Sequence, residues 1–220
     1  MTAMIDTILF DYDGTIMDTN DLVIASWQHT FKEMGEPVRP LDEITSHFGE
    51  PIMDIIRFFF PDEDPDYVVG IYRSFHNSNF RERTCLFPGV MEVLEEFHSR
   101  GYPMAIVTNR VRYSTELGLD KYGILPMFGA VVCEGDAQRA KPFPDSIYLA
   151  LEQLGSSVDR AVLIGDSQND ILCGRNAGVL TVRVAWAVAT DEKYDGVAAE
   201  PDHTIDKPAD LIKLLDELNR

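Results

Sequence analysis

Asp11 and Asp13 stand one residue apart, and Gly14 follows at once. This spacing lets both carboxylates leave one turning loop near a common point, where glycine allows the backbone to approach a ligand closely. Like charges about 4 Å apart, at an effective dielectric of about 20, repel by roughly 4 kcal/mol, which favours a shared proton or a bound cation. Magnesium, a hard ion that prefers oxygen ligands, is the simplest answer. The stretch Gly165-Asp166-Ser167-Gln168-Asn169-Asp170 supplies two further acids, Asp166 and Asp170, and strengthens the reading of an ion site. His29, His47, His76, His98 and His203 share no ligand spacing, so a histidine-based metal site is not indicated.

The elements that must position these acids are legible as short apolar runs. Thr7 to Phe10 ends abruptly in a polar string and reads as a buried strand running into a loop. Similar runs follow at Pro103 to Asn109, Gly129 to Asp136, Ala161 to Asp166 and Leu180 to Trp186. Helical patterns lie between them: Val90 to Arg100 is apolar at Val90, Val93, Leu94 and Phe97, while Pro144 to Leu154 opens with proline and closes before Gly155. The alternation predicts an α/β fold, a doubly wound and mainly parallel sheet covered by helices. Such sheets bind ligands beyond the carboxyl ends of their strands, where the acids fall.

Residues 18–83 break the rhythm. Helix-like stretches surround Asn20 to Met34, Leu41 to His47, Pro51 to Phe60 and Tyr67 to Phe80, and no strand is evident among them. About 65 residues of helical pattern between the first two strands predict a small helical domain inserted into the core. The expected division is therefore a core of residues 1–17 and 84–220 with an α-helical insert at 18–83.

Composition narrows the function classes. The chain has 220 residues, 45% hydrophobic and 25% charged, as soluble globular chains do. Its formal net charge of −18 disfavours nonspecific attraction to nucleic acid or an anionic membrane. Cys85, Cys133 and Cys173 are odd in number and widely spaced, so they outline neither a disulfide framework nor a zinc site. With no apolar run of about 20 residues and no basic segment leading into a signal core, a cytoplasmic protein is expected. The aromatic run Phe58-Phe59-Phe60 is read as packing within the insert, and Cys133 and Cys173 as packed thiols.

Four pieces in order, Asp11-Tyr12-Asp13-Gly14-Thr15, Thr108-Asn109, Lys141-Pro142-Phe143-Pro144 and Gly165 to Asp170, resemble the phosphatases of the haloacid dehalogenase superfamily. The resemblance spans the whole core, and the helical insert resembles that superfamily's α-helical cap. It implies that Asp11 is a nucleophile forming an aspartyl phosphate and that Asp13 is the acid and base for leaving group and water. It also implies that Asp11, the Asp13 carbonyl and Asp166 bind magnesium, with Asp170 acting through water or orienting Lys141. Lys141, Thr108, Asn109 and the backbone around Gly14 would then hold the phosphoryl oxygens of a small anionic phosphate substrate.

The insert phrases DTNDLVIASWQHTF and FGEPIMDII, with the later RVAW, are similar to phosphoglycolate phosphatases and, more closely, to inorganic pyrophosphatases of this superfamily. Pyrophosphate is the leading substrate on that resemblance. Phosphoglycolate or another small phosphomonoester is the alternative, beside a phosphosugar mutase and a catalytically silent phosphometabolite binder. His47, Gly49 and Glu50, in a turn placed to reach over the site, are the specificity candidates, and Arg39, Arg57, Arg73, Arg81 and Arg83 are candidate clamps for a second anionic group. Asp13 disfavours carbon–halogen cleavage, and Lys32, the only lysine between Ile16 and Arg83, lies in an amphipathic pattern unsuited to imine chemistry.

Overall fold

In the computed structural model, which describes residues 4–48, 50–187 and 199–220, the five apolar runs become strands β1 (Thr7–Phe10), β4 (Met104–Val107), β5 (Ala130–Val132), β6 (Ala161–Gly165) and β7 (Leu180–Val184). A sixth, β8 (His203–Ile205), completes one sheet in the order β5-β4-β1-β6-β7-β8, every neighbouring pair parallel. The chain turns back in the sheet at β1, which pairs with β4 on one side and β6 on the other. A crevice forms at such a reversal, outside the carboxyl ends of the strands.

Period-two alternation divides the core into two layers. Ile8, Phe10, Met104, Ile106, Val162 and Ile164 face one cluster, which helices α5 (Val90–Ser99) and α9 (Ala209–Leu218) cover with Val93, Leu94, Phe97, Leu211 and Leu215. Leu9, Ala105, Val107, Ala161 and Leu163 face the other, beneath α7 (Asp145–Leu154) and α8 (Gln168–Ala177), which bring Ile147, Ala150, Leu151, Cys173 and Ala177. Burial on both faces explains why these strands read as continuous apolar runs. Gly155 and Gly178 end α7 and α8 in the left-handed conformation, the usual helix stop. This is the α/β, mainly parallel fold expected.

A two-stranded antiparallel stem, β2 (Met17–Asp18) with β3 (Cys85–Leu86), carries the chain out of the core and back. Between its strands run α1 (Asn20–Glu33), α2 (Leu41–Thr45), α3 (Ile52–Phe59) and α4 (Pro65–Arg83). Their apolar stripes meet in a separate cluster around Trp27, Phe31, Ile44, Ile56, Phe59 and Tyr72. Asp64 caps α4 by accepting from the Asp66 amide, with Pro65 in the first turn. Of the aromatic run, Phe59 and Phe60 are buried here while Phe58 is exposed, because consecutive residues on a helix point about 100° apart. Phe58 instead lies against the His47 ring at 4.6 Å. Cys133 and Cys173 are buried, free thiols. Among the described residues no helix is long and apolar enough to cross a membrane.

Candidate active site

The reversal at β1 gathers the acids. Asp11 leaves β1, Thr108 leaves β4 and Asp166 leaves β6, three neighbouring strands, so residues distant in sequence meet at one edge of the sheet. Lys141 reaches the same point from the loop between β5 and α7. Its Nζ donates to Asp11 Oδ1 at 2.6 Å, to Asp170 Oδ1 at 2.6 Å and to the Val107 carbonyl at 3.0 Å. All three side chains are buried.

The backbone of Lys141 is fixed by Asn109. The amide oxygen of Asn109 accepts from the Lys141 N–H at 2.9 Å, and its nitrogen donates to the Lys141 carbonyl at 3.1 Å. Asp170 is fixed as firmly: Oδ2 accepts from the Ser167 amide at 3.0 Å and from Ser167 Oγ at 2.6 Å, in a capping box that opens α8. Both oxygens of Asp170 are thus engaged by protein donors. Gly14 sits at φ +74°, where a Cβ would fall 2.1 Å from Asp166 Oδ2, so only glycine fits between the first loop and this carboxylate.

Electrostatics single out the cluster. Oxygens of Asp11, Asp166 and Asp170 lie within 4.8 Å of one another, and Lys141 is the cation bonded among them. Burial, then the Asp170 charge, pushes the Asp11 carboxyl up to about 7 against the pull of Lys141. Burial and the charges of Asp170 and Asp11 raise Asp166 well above the carboxylate range. Burial lowers the Lys141 ammonium, but Asp11 and Asp170 more than offset it, so this lysine stays charged. Three carboxylates around one ammonium are short of positive charge, and an all-oxygen donor set suits a hard divalent cation.

Above the strand ends a cavity of about 500 Å³ separates the sheet from the four-helix insert. Asp11, Asp13, Gly14, Thr108, Asn109, Lys141 and Asp166 line its floor, as the sequence motifs require of a shared site. His47 and Glu50 line it from the insert, bonded to each other at 3.0 Å through His47 Nδ1, and among the described residues the buried His47 Nε2 has no hydrogen-bond partner. Gly49 lies outside the described residues. Of the five arginines considered as clamps, Arg73 lines the cavity, while Arg57 and Arg83 pair with Asp54 and Asp21.

Sequence reasoning passed over Arg110. Its Nη1 donates to Asp13 Oδ1 at 2.8 Å, beside Thr19 Oγ1, which donates to the same oxygen at 2.6 Å. Its Nη2 lies 2.8 Å from His76 Nε2 on α4. Burial, then the Arg110 charge, pushes His76 down to about 4, so the imidazole is neutral near pH 7 and its Nε2 accepts. The signal was present: Arg110 directly follows the Thr108-Asn109 pair.

The family model of haloacid dehalogenase-like hydrolases matches residues 8–184. The pyrophosphatase PpaX of Bacillus pumilus (strain SAFR-032) is 34% identical over 213 residues, covering 97% of each chain. PpaX of Bacillus velezensis is 33% identical over 210 residues, covering 96% of each. A haloacid dehalogenase-like family hydrolase from Streptococcus pneumoniae superposes with a TM-score of 0.84 at 26% identity, over 96% of this chain and 98% of that one. CbbY from Rhodobacter sphaeroides, solved in complex with phosphate, shares the fold with a TM-score of 0.84 at 23% identity, over 97% and 100%.

Proposed function

The chain belongs to the haloacid dehalogenase-like hydrolases and is a phosphohydrolase of that family, and from that premise we propose that it hydrolyses pyrophosphate with magnesium through an aspartyl phosphate on Asp11. The observation that carries the reaction is Lys141 Nζ held 2.6 Å from both Asp11 Oδ1 and Asp170 Oδ1 in a buried site. The substrate rests on the PpaX relatives, at 34% identity over 97% of the chain.

In this reading a carboxylate oxygen of Asp11 attacks phosphorus, the bond from phosphorus to the leaving oxygen breaks, and Asp13 delivers a proton to that oxygen. Asp13 then takes a proton from the water that cleaves the acyl phosphate, which restores Asp11 and releases phosphate. Lys141 neutralises phosphoryl charge and keeps Asp11 aimed, Asp170 positions Lys141, and Thr108, Asn109 and the amides around Gly14 cradle the oxygens. Asp11, Asp166 and the Asp13 carbonyl would hold magnesium, which supplies charge neutralisation for the approach of one anion to another. Residues 18–83 act as a cap over the site, with His47 and Glu50 meeting the distal part of the substrate. The protein works in the cytoplasm on small phosphates and has no nucleic-acid or membrane partner in this reading, in keeping with its net charge of −18.

Steady-state phosphate release from pyrophosphate, phosphoglycolate, sugar phosphates and nucleoside monophosphates, compared by kcat/KM, tests the substrate. Pyrophosphate should lead; a place among the poorest would transfer the assignment to a phosphomonoester. Asp11→Asn should abolish turnover of every substrate with folding intact, and wild-type activity in that variant would reject the nucleophile.

A further inference from the structure

The side chain of Arg110 is 8% exposed and bridges the core and the insert at the wall of the cavity. From the core, Asp13 Oδ1 takes its Nη1 at 2.8 Å and the Tyr12 ring lies 5.5 Å from the guanidinium. From the insert, His76 Nε2 faces its Nη2 at 2.8 Å and the Phe80 ring lies 5.2 Å away. His76 and Phe80 are four residues apart on α4 and so share one face of that helix. The guanidinium is gripped between them and the first motif.

The consequence falls on Asp13. Thr19 and Arg110 both donate to Oδ1, and among the described residues no hydrogen bond falls on Oδ2. One oxygen is pinned and the other is left for proton exchange. We propose that Arg110 is a positioning residue which, tethered by His76, aims the Asp13 carboxylate and couples its orientation to the seating of α4 over the site. The proposal rests on the reading of Asp13 as the acid and base. Burial of a neutral His76 supports it, since only the neutral ring accepts the bond from Arg110.

Because Asp13 serves two steps, its misorientation has a kinetic signature that loss of stability lacks. With 4-nitrophenyl phosphate the leaving phenolate is stable without a proton, so phosphorylation of Asp11 survives a misplaced Asp13. The water that cleaves the acyl phosphate still needs a base. Stopped-flow release of 4-nitrophenolate by the full-length protein with magnesium should therefore show, for Arg110→Met and His76→Leu, a burst of about one equivalent, then turnover slower than wild type by about tenfold or more. His76→Gln, whose amide oxygen can accept from Arg110, should recover to within a few-fold of wild type.

Wild-type kinetics in Arg110→Met, or an equal slowing of both phases with no burst, would overturn the proposal. A raised KM with unchanged kcat would overturn it too, making Arg110 a substrate anion clamp. If Arg110→Met does not fold, the His76→Leu and His76→Gln pair decides alone: no difference between them rejects the tether. Asp11→Asn in the same instrument separates the two levels. Its retention of turnover would reject the nucleophile, whereas its inactivity beside unaffected Arg110 and His76 variants would reject only the positioning role.

Discussion

The aim of Lys141 is set at its backbone as well as at its ammonium. Its backbone is held at both ends by the Asn109 side chain, at 2.9 and 3.1 Å, and its ammonium is shared between Asp11 and Asp170. Asn109→Leu removes both backbone bonds at a cost of about 0.5–1.5 kcal/mol each and leaves two buried peptide groups to find other partners. We expect kcat to fall by about tenfold or more with KM changed far less, because the lysine misaims at the reacting atoms. A kcat within twofold of wild type in steady-state assays would show that Lys141 aims itself. At this scale the motif acids were readable because their type and order are distinctive: Asp11, Asp166 and Asp170 do converge. The pairing of Arg110 with His76 was not, since no spacing rule connects residues 34 positions apart that meet only when α4 lies over the first loop.

Helix α6 (Arg112–Lys121) shows how an element far from the chemistry can set the first motif. A Cβ on Gly118 would lie 1.8 Å from the Tyr12 hydroxyl and 3.0 Å from Phe80 Cζ, so the helix approaches closely enough that only glycine fits. Tyr12 stands between Asp11 and Asp13 and is fully buried. Gly118→Ala should improve helix propensity yet destabilise the protein by about 1–3 kcal/mol through overpacking, and should lower kcat by displacing Tyr12. Thermal denaturation alongside turnover checks this; a more stable and fully active variant would mean that the contact yields freely. Core strands were legible because burial on both faces makes them continuous apolar runs. β2 and β3, two residues each, and the three-residue β8 are too short for any periodicity to register, and their existence depends on partners brought by the fold. The exposure of Phe58 was also hidden in its apolar run, since a helix of about two turns decides which of three neighbouring rings faces outward.

For the whole molecule, gathering carboxylates at the reversal of the sheet stores a pH dependence that a cation should reveal. Asp11 moves from 3.8 to about 7 on folding. Between those values the folded state keeps a proton that the unfolded chain has released, so its contribution to stability falls as pH rises through that window. Asp166, also raised, acts in the same direction. His76 opposes them: its shift from 6.5 to about 4 leaves the proton on the unfolded chain, and stability rises with pH through that interval. A simple curve of Tm against pH therefore mixes opposed contributions. The difference in Tm with and without magnesium isolates the carboxylates, because a cation binds their ionised forms and must displace the protons that burial retains. That difference should be small at about pH 5 and clearly larger at about pH 8. Asp166→Asn should flatten it by removing one ionised oxygen from the donor set while leaving the Lys141 contacts with Asp11 and Asp170 in place. An equal magnesium shift at both pH values, or one undiminished in Asp166→Asn, would place the cation away from the strand ends and remove the electrostatic basis for Asp11 attacking an anion.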